Sequence, residues 1–385
     1  MAVASKAPRK HPDMPIPENG EIEAAIAYRI IQIAKYVMKL ADIDCSVGST
    51  RMNLAERNYA LALMCFYLEE KDLSDNTEIA TSMALVHPAD GDAQEQTLEQ
   101  LPQELLDLGL VRSIANSGSD SISDMIGWTA QETGAASGES VFQFVDSIAR
   151  DLLPHAFRSV KAESTKVERY LPPLSPEILQ IAEFVLQFRA QNRAIYYSEE
   201  KIENDVEHSL MLAIAALYLA LEMFPDNMDT LKIVIQGLVH DMTEVVDGDV
   251  PSWTLTVEEH HKKSAKEAEG LVETLNKIPG IIGKHLDEYS THSTPEARFL
   301  RVLDKVLPAA VWLLVEAVYL LKILEEQHDI ETIEAFEKSE NEYNGSFYKK
   351  FKETEGAEWT EVLLRARGVI IGVLMERLAK LFASE

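Results

Sequence analysis

Apolar residues recur at steps of three and four through most of the chain. Over 206–222, Leu210, Ala213, Ile214, Leu217 and Leu221 fall on one face of a helix. Leu231, Val234, Ile235 and Leu238 form a similar stripe, and Pro225, Asp226 and Asn227 supply the turn between the two helices. A third segment, about 296–326, is apolar nearly all round, the pattern of one helix buried in the middle of a domain. No segment alternates convincingly enough to predict a strand, so the pattern predicts an all-α fold.

Two stretches interrupt the helical period. Residues 112–140 are rich in Ser and Gly and read as a long loop. Residues 161–176 carry charges followed by Pro172, Pro173 and Pro176, which predicts a linker between domains. Residues 1–20 mix Lys, Arg, His and four prolines without the apolar core of a signal peptide, and predict a flexible lead-in. Self-comparison adds a repeat. The run IIQIAKYVMKL at 30–40 resembles ILQIAEFVLQF at 178–188, and 52–68 resembles 203–219. MALVHPADGD at 83–92 then parallels QGLVHDMTEVVDGD at 236–249. Three blocks in one order predict two copies of a helical unit, one in 21–160 and one in 177–385.

Charge narrows the function classes. With 36 Lys and Arg against 64 Asp and Glu, the net charge is −28, and a field of that sign repels a long phosphate backbone. Small anions stay accessible if a local metal or Arg reverses the field. Two cysteines, Cys45 and Cys65, build neither a disulfide framework nor a four-thiolate zinc site, which points to a reducing compartment, by default the cytoplasm. Charged residues interrupt every apolar stretch before it reaches the length of a membrane span.

Chemistry concentrates in HDMTEVVDGDVP, His240 to Pro251, at the end of an apolar helix. Glu207-His208-Ser209 opens the preceding helix, and Asp304 sits in the otherwise apolar run FLRVLDKVLPAAVWLLVEA. A carboxylate there must be paired, protonated or bound to a cation. Either Arg298 or Arg301 is one available partner. A divalent ion shared by His208, His240, Asp241 and Asp304 is the other, and mixed nitrogen and oxygen donors suit Mn, Co, Fe, Ni or Zn. Glu244, four residues after His240, falls on the same helix face, where it can orient a water or carry its proton.

These residues resemble the H…HD…D signature of the HD-domain metal-dependent phosphohydrolases. EHS at 207–209, HDxxExxxGDxP at 240–251, EY at 288–289 and EARF at 296–299 are similar to the 5′-deoxynucleotidase branch, over about 178–330. The resemblance implies tandem HD helical bundles, with residues 21–160 a degenerate copy and 177–385 the catalytic one. It implies His208, His240, Asp241 and Asp304 as ligands of one divalent metal (Mn, Co, Mg, Zn, Fe or Ni), Glu244 as the group activating water, and Asp249 as a group near the sugar. Arg193 stands where the branch has an arginine on the phosphate, although Glu199, Glu200 or Glu203 could instead be its partner. Ala194 replaces the tryptophan that usually follows, leaving Tyr196 or Tyr197 to supply an aromatic wall. Lys305 either reaches a phosphate or extends to solvent.

In the first copy Arg57 stands for His208 and Pro88 for Asp241, while His87 survives and Asp146 or Asp151 answers to Asp304, so that copy is expected to hold no metal. His260, His261, His285 and His292 read as ordinary helix residues, and Trp253 as a residue close enough to line a pocket or simply pack. The implied activity is removal of phosphate from deoxynucleoside 5′-monophosphates. Hydrolysis of (deoxy)nucleoside triphosphates to triphosphate is the alternative within enzymes, and a non-catalytic nucleotide-binding regulator the alternative outside them. The expected partner is a small nucleotide, with no membrane and no long nucleic acid, in a homodimer or an internal pseudo-dimer.

Overall fold

The computed structural model describes residues 21–47, 50–72, 176–223, 228–248, 257–328, 334–338 and 358–382. Helix α1 (Glu21–Ala41) leads through strands β1 (Asp44–Val47) and β2 (Thr50–Asn53) into α2 (Leu54–Asp72). After the long interval 73–175 the same order recurs as α3 (Pro176–Phe188), β3 (Asn192–Ser198), β4 (Lys201–Asn204) and α4 (Asp205–Met223). Then follow α5 (Thr230–Val239), α6 (Glu244–Asp247), α7 (Val257–Leu275), α8 (Gly280–Ser290), α9 (Pro295–Asp304), α10 (Leu307–Leu314), α11 (Ala317–His328) and α12 (Glu358–Phe382). The fold is helical, as the periodicity predicts. The two antiparallel hairpins are not in that reading: β1, β2 and β4, at four residues each, give alternation no length in which to show, and β3 runs Ala194-Ile195-Tyr196-Tyr197 without alternating.

Two helical readings are also revised. The stripe on α4 is not one-sided: every residue from Glu203 to Ala220 is buried. Helices α1, α2, α5 and α9 all pack around it, which makes α4 the central rod of the molecule. The segment 296–326 is three helices, not one. Pro308, in the first turn of α10, has no N–H to give the carbonyl four residues earlier, and its ring excludes a continuous helix there. Residue 304 is that position, so the break falls at Asp304 and frees its side chain from the helical row.

Close approach of α5 to α4 depends on Gly237. A Cβ at that position would stand 2.9 Å from the Cα of Ala213. The C-terminal helix α12 lies against α1, α9 and α10. Its Arg367 donates from Nε to the Lys305 carbonyl at 3.1 Å, and Arg377 donates to the Leu313 carbonyl, so two buried or half-buried cations close the carbonyl ends of α9 and α10.

The described N-terminal residues are not separate from the rest, since residues from Ile26 to Tyr67 and from Ile178 to Leu378 join one hydrophobic cluster. Where α2 meets α4, the two helix starts bond each other reciprocally. Asn53 Oδ1 accepts the Glu56 N–H at 3.0 Å while Glu56 Oε2 accepts the Asn53 N–H at 3.0 Å. Asn204 and Glu207 do the same at 3.0 and 3.2 Å. Each asparagine also donates across: Asn53 Nδ2 to Glu207 Oε1 at 2.6 Å, and Asn204 Nδ2 to Glu56 Oε1 at 2.9 Å. Two capping boxes thereby share four side chains about a local two-fold axis. The expected linker lies outside the described residues except for Pro176, as do the expected loop at 112–140, His87, Pro88, Asp146 and Asp151. The Pro225–Asn227 turn is outside them too.

Candidate metal centre

Three elements deliver the four residues of the site. His208 projects from the first turn of α4, His240 and Asp241 from the turn that ends α5, and Asp304 from the last residue of α9. One donor atom from each lies within 4.8 Å of all the others. Donors held ~2.1 Å from a common ion stand about 3–4 Å apart, so a small adjustment brings this set around one cation. Three of the four residues are buried and Asp241 is partly so.

Hydrogen bonds behind the imidazoles choose which nitrogen faces inward. His240 Nδ1 lies 2.9 Å from the Gly237 carbonyl and donates to it, which turns Nε2 toward the cluster. That Nε2 is 2.9 Å from Asp241 Oδ2 and 3.8 Å from Asp304 Oδ1 without the alignment of a hydrogen bond, a buried polar atom with no hydrogen-bond partner. His208 turns Nε2 to Asp304 Oδ1 at 2.9 Å, with Glu203 Oε1 3.7 Å from its Nδ1. Glu203 accepts the Tyr197 hydroxyl at 3.0 Å. Carboxylates and carbonyls standing behind ligand imidazoles are a recurrent feature of metal sites.

Charge is concentrated here. Burial and Arg193 disfavour a charged His208 imidazole, yet Glu203 and Asp304 outweigh them and push it up to about 9. Burial works against the Asp304 carboxylate, but Lys305 at 2.6 Å and the His208 contact hold it well below the usual range. Asp241 is likewise held low against its burial by His240 and by Arg193, whose NH1 lies 2.5 Å from Oδ2. The cluster thus keeps its carboxylates ionised out of water, a state that calls for cations.

Arg193 is at the centre of that compensation. It reaches Asp241, Asp205 at 3.5 Å, Glu203 at 3.7 Å and Glu244 at 3.7 Å. Of the three partners open to it in sequence, the structure selects Glu203; Asp205, Asp241 and Glu244 are additions. Lys305 points back to Asp304 while remaining about one-third exposed. Glu244 does not share a helix face with His240, because α5 stops at Val239. The chain tightens into bonds from Met242 N–H to the Val239 carbonyl at 3.0 Å and from Glu244 N–H to the Asp241 carbonyl at 2.9 Å, and α6 begins anew at Glu244. Glu244 reaches the cluster through this turn. Asp249 and Trp253 lie outside the described residues. Gly248, at φ 71°, takes a left-handed conformation that suits glycine.

The two tyrosines proposed as walls divide, as a pleated strand requires. Tyr197 is buried against Glu203, whereas Tyr196 meets Tyr319 edge to face at 6.0 Å between ring centres. Residues that sequence reasoning missed are Asp205 and, in the role of neighbours to the four-residue cluster, Glu203 and Tyr289. Tyr289 packs edge-on against His240 at 5.6 Å, and burial, with Asp304 and Asp241, keeps its phenol well above its ordinary range. Recognising the β3–β4 hairpin would have found Glu203, since it turns both Arg193 and Glu203 toward the start of α4. His285 sits away from the cluster, edge-on to Phe66 at 5.3 Å, and His260 and His261 ride on α7. Among the described residues no helix is long and apolar enough to cross a membrane.

Comparison with known proteins bears on this geometry. Residues 185–347 match the family described as HD domain. The chain is 28% identical over 135 residues to the Homo sapiens protein named 5′-deoxynucleotidase HDDC2, 29% over 116 residues to that of Mus musculus and 30% over 135 residues to that of Bos taurus. These alignments cover 33, 29 and 33% of this chain and 63, 55 and 62% of the respective relatives, so the chain spans less than two-thirds of the length of each. No solved structure matches the chain.

Proposed function

We propose, from the match of residues 185–347 to the HD domain family, that the chain is a metal-dependent phosphohydrolase removing phosphate from deoxynucleoside 5′-monophosphates. One observation carries the reading: two imidazoles and two carboxylates from three elements converge within 4.8 Å, with His240 Nε2 buried and lacking a hydrogen-bond partner. The donor set fits a divalent cation held by His208, His240, Asp241 and Asp304. When bound, such an ion supplies charge that polarises a phosphoryl oxygen and acidifies water. The name of the relatives supports the monophosphate class.

The chain's own residues take the remaining tasks. Gly237 and Glu203 fix the imidazoles through their outer nitrogens. Glu244, beside Arg193, orients the attacking water and accepts its proton, and Arg193 and Lys305 present cationic groups to the phosphate. Asp249 meets the sugar. Substrate phosphate would draw Arg193 partly away from Asp241, which the incoming cation neutralises in its place. The N-terminal unit, on this reading, is a degenerate copy whose helix–hairpin–helix pairs with that of the catalytic copy as an internal pseudo-dimer; the reciprocal Asn–Glu bonds support it.

Product analysis over a nucleotide panel tests the proposal. Inorganic phosphate from deoxynucleoside monophosphates, at a rate reduced at least about 100-fold by Glu244→Ala, is the expected result. Triphosphate released from nucleoside triphosphates would contradict the substrate class, and no product from any nucleotide would contradict the enzyme.

A further inference from the structure

Among the described residues the N-terminal unit contributes no member of the metal-ligating cluster, yet one of its side chains reaches the turn that carries the His–Asp pair. Tyr59 of α2 is fully buried, lies 5.9 Å from Phe188 between ring centres, and donates its hydroxyl to the Leu238 carbonyl at 2.9 Å. Leu238 is two residues before His240. In a continuing α-helix its carbonyl would accept the Met242 N–H, but that N–H turns to Val239 instead. The released carbonyl is an acceptor in the interior, and leaving it unmet there is unfavourable. Tyr59 meets it.

The adjacent carbonyl has the other half of the task. Gly237 O accepts from His240 Nδ1 and so sets the ring. The peptide between these two carbonyls is clamped from both sides, by Ala213 of α4 against Gly237 and by Tyr59 of α2 at Leu238. Burial, with Asp205 and Asp241 nearby, keeps the Tyr59 phenol well above its ordinary range, so it remains an O–H donor. The repeat places Leu210 opposite Tyr59, and a leucine at that position has no such group to offer.

We propose that Tyr59 is a positioning residue for the metal centre, holding the tight turn after α5 in the form that aims His240 Nε2 and Asp241 at a common cation. The inference rests on the metal-site reading above and gives the N-terminal unit a part in the catalytic half: it supplies the hydroxyl that fixes the ligand-bearing turn. A hydroxyl that only filled space in the core would affect melting without touching metal affinity.

The test is calorimetric titration of the full metal-stripped chain with Co²⁺, for wild type, Tyr59→Phe and Tyr36→Phe, together with steady-state kinetics. Tyr36 is the control because its buried hydroxyl, on the same unit, has no hydrogen-bond partner. Tyr59→Phe is expected to weaken Co²⁺ binding about three- to tenfold and to lower kcat by a similar factor, with KM within about twofold. Tyr36→Phe should bind Co²⁺ as wild type does. Wild-type Co²⁺ affinity and kcat in Tyr59→Phe, whatever its melting temperature, would overturn the inference and leave the metal reading standing. A wild-type chain that takes up no metal would overturn both.

Discussion

Substituting Asn53 by Ala probes the joint between the two helix–hairpin–helix units without touching the metal cluster. Two bonds disappear. The first caps α2, from Asn53 Oδ1 to the Glu56 N–H at 3.0 Å, and losing a cap costs about 1 kcal/mol. The second runs from Nδ2 to a Glu207 carboxylate oxygen at 2.6 Å, and a bond to a charged group contributes about 1.5–3 kcal/mol. Glu207 is buried, and burial, opposed in part by Lys201, already pushes its carboxyl up to about 7. Stripped of the Asn53 amide it takes up a proton more readily, which limits the penalty. The total comes to about 2–4 kcal/mol. At ~2.1 cal/mol/K of unfolding entropy per residue, a chain of 385 residues should then melt roughly 3–5 °C lower. Urea unfolding followed by far-UV circular dichroism measures the difference, with Asn204→Ala, whose side chain makes the matching bonds at 3.0 and 2.9 Å, as its two-fold counterpart. The reasoning is refuted if either variant loses less than about 0.5 kcal/mol, the range of an ordinary surface change.

Gly237→Ala is expected to destabilise by about 1–3 kcal/mol, because its Cβ meets the Ala213 backbone at 2.9 Å. Since the collision is with backbone, adding Ala213→Gly should not restore stability, and a full rescue in thermal melts would show that the approach of α4 and α5 is misjudged. His285, packed against Phe66, is pulled from 6.5 to about 4, first by burial; Lys284 and Lys232 add to this, while Glu288 and Asp229 oppose it. Its unfolded form gains a proton below pH 6.5 and its folded form only near 4, so its stability contribution, about 3 kcal/mol at most, is present above 6.5 and lost as pH falls to 4. Urea midpoints of His285→Phe against wild type should therefore draw together at neutral pH and separate in favour of the variant toward pH 4. An unchanged difference across that range would contradict the buried neutral imidazole.

What could be read from sequence follows the length over which each pattern acts. The four-residue cluster was legible because its members sit beside long apolar helices, where a charged group stands out; Asp304 must be paired, protonated or bound to a cation to be there. The helical class was legible for the same reason. Short elements were not. A four-residue strand carries too little alternation to register, and with the hairpins went Asp205 and the place of Glu203 beside His208, which the turn brings about. The break after Asp304 had a local signal in Pro308, hidden inside an apolar run that favoured one long helix. The contacts of Arg193 with Asp241 and Glu244 and the reach of Tyr59 into the turn after α5 are long-range facts of packing that no local pattern encodes.

The central claim concerns the cation, and one measurement addresses it most directly. The full chain, stripped of metal by chelation and gel-filtered, is assayed for phosphate release from a deoxynucleoside 5′-monophosphate while Mn²⁺ or Co²⁺ is restored, alongside Asp304→Asn treated in the same way. No release from the stripped wild type, recovery at about one equivalent of added ion and no recovery in Asp304→Asn is the predicted result. Full activity without metal, or an Asp304→Asn variant that recovers as well as wild type, would contradict the account.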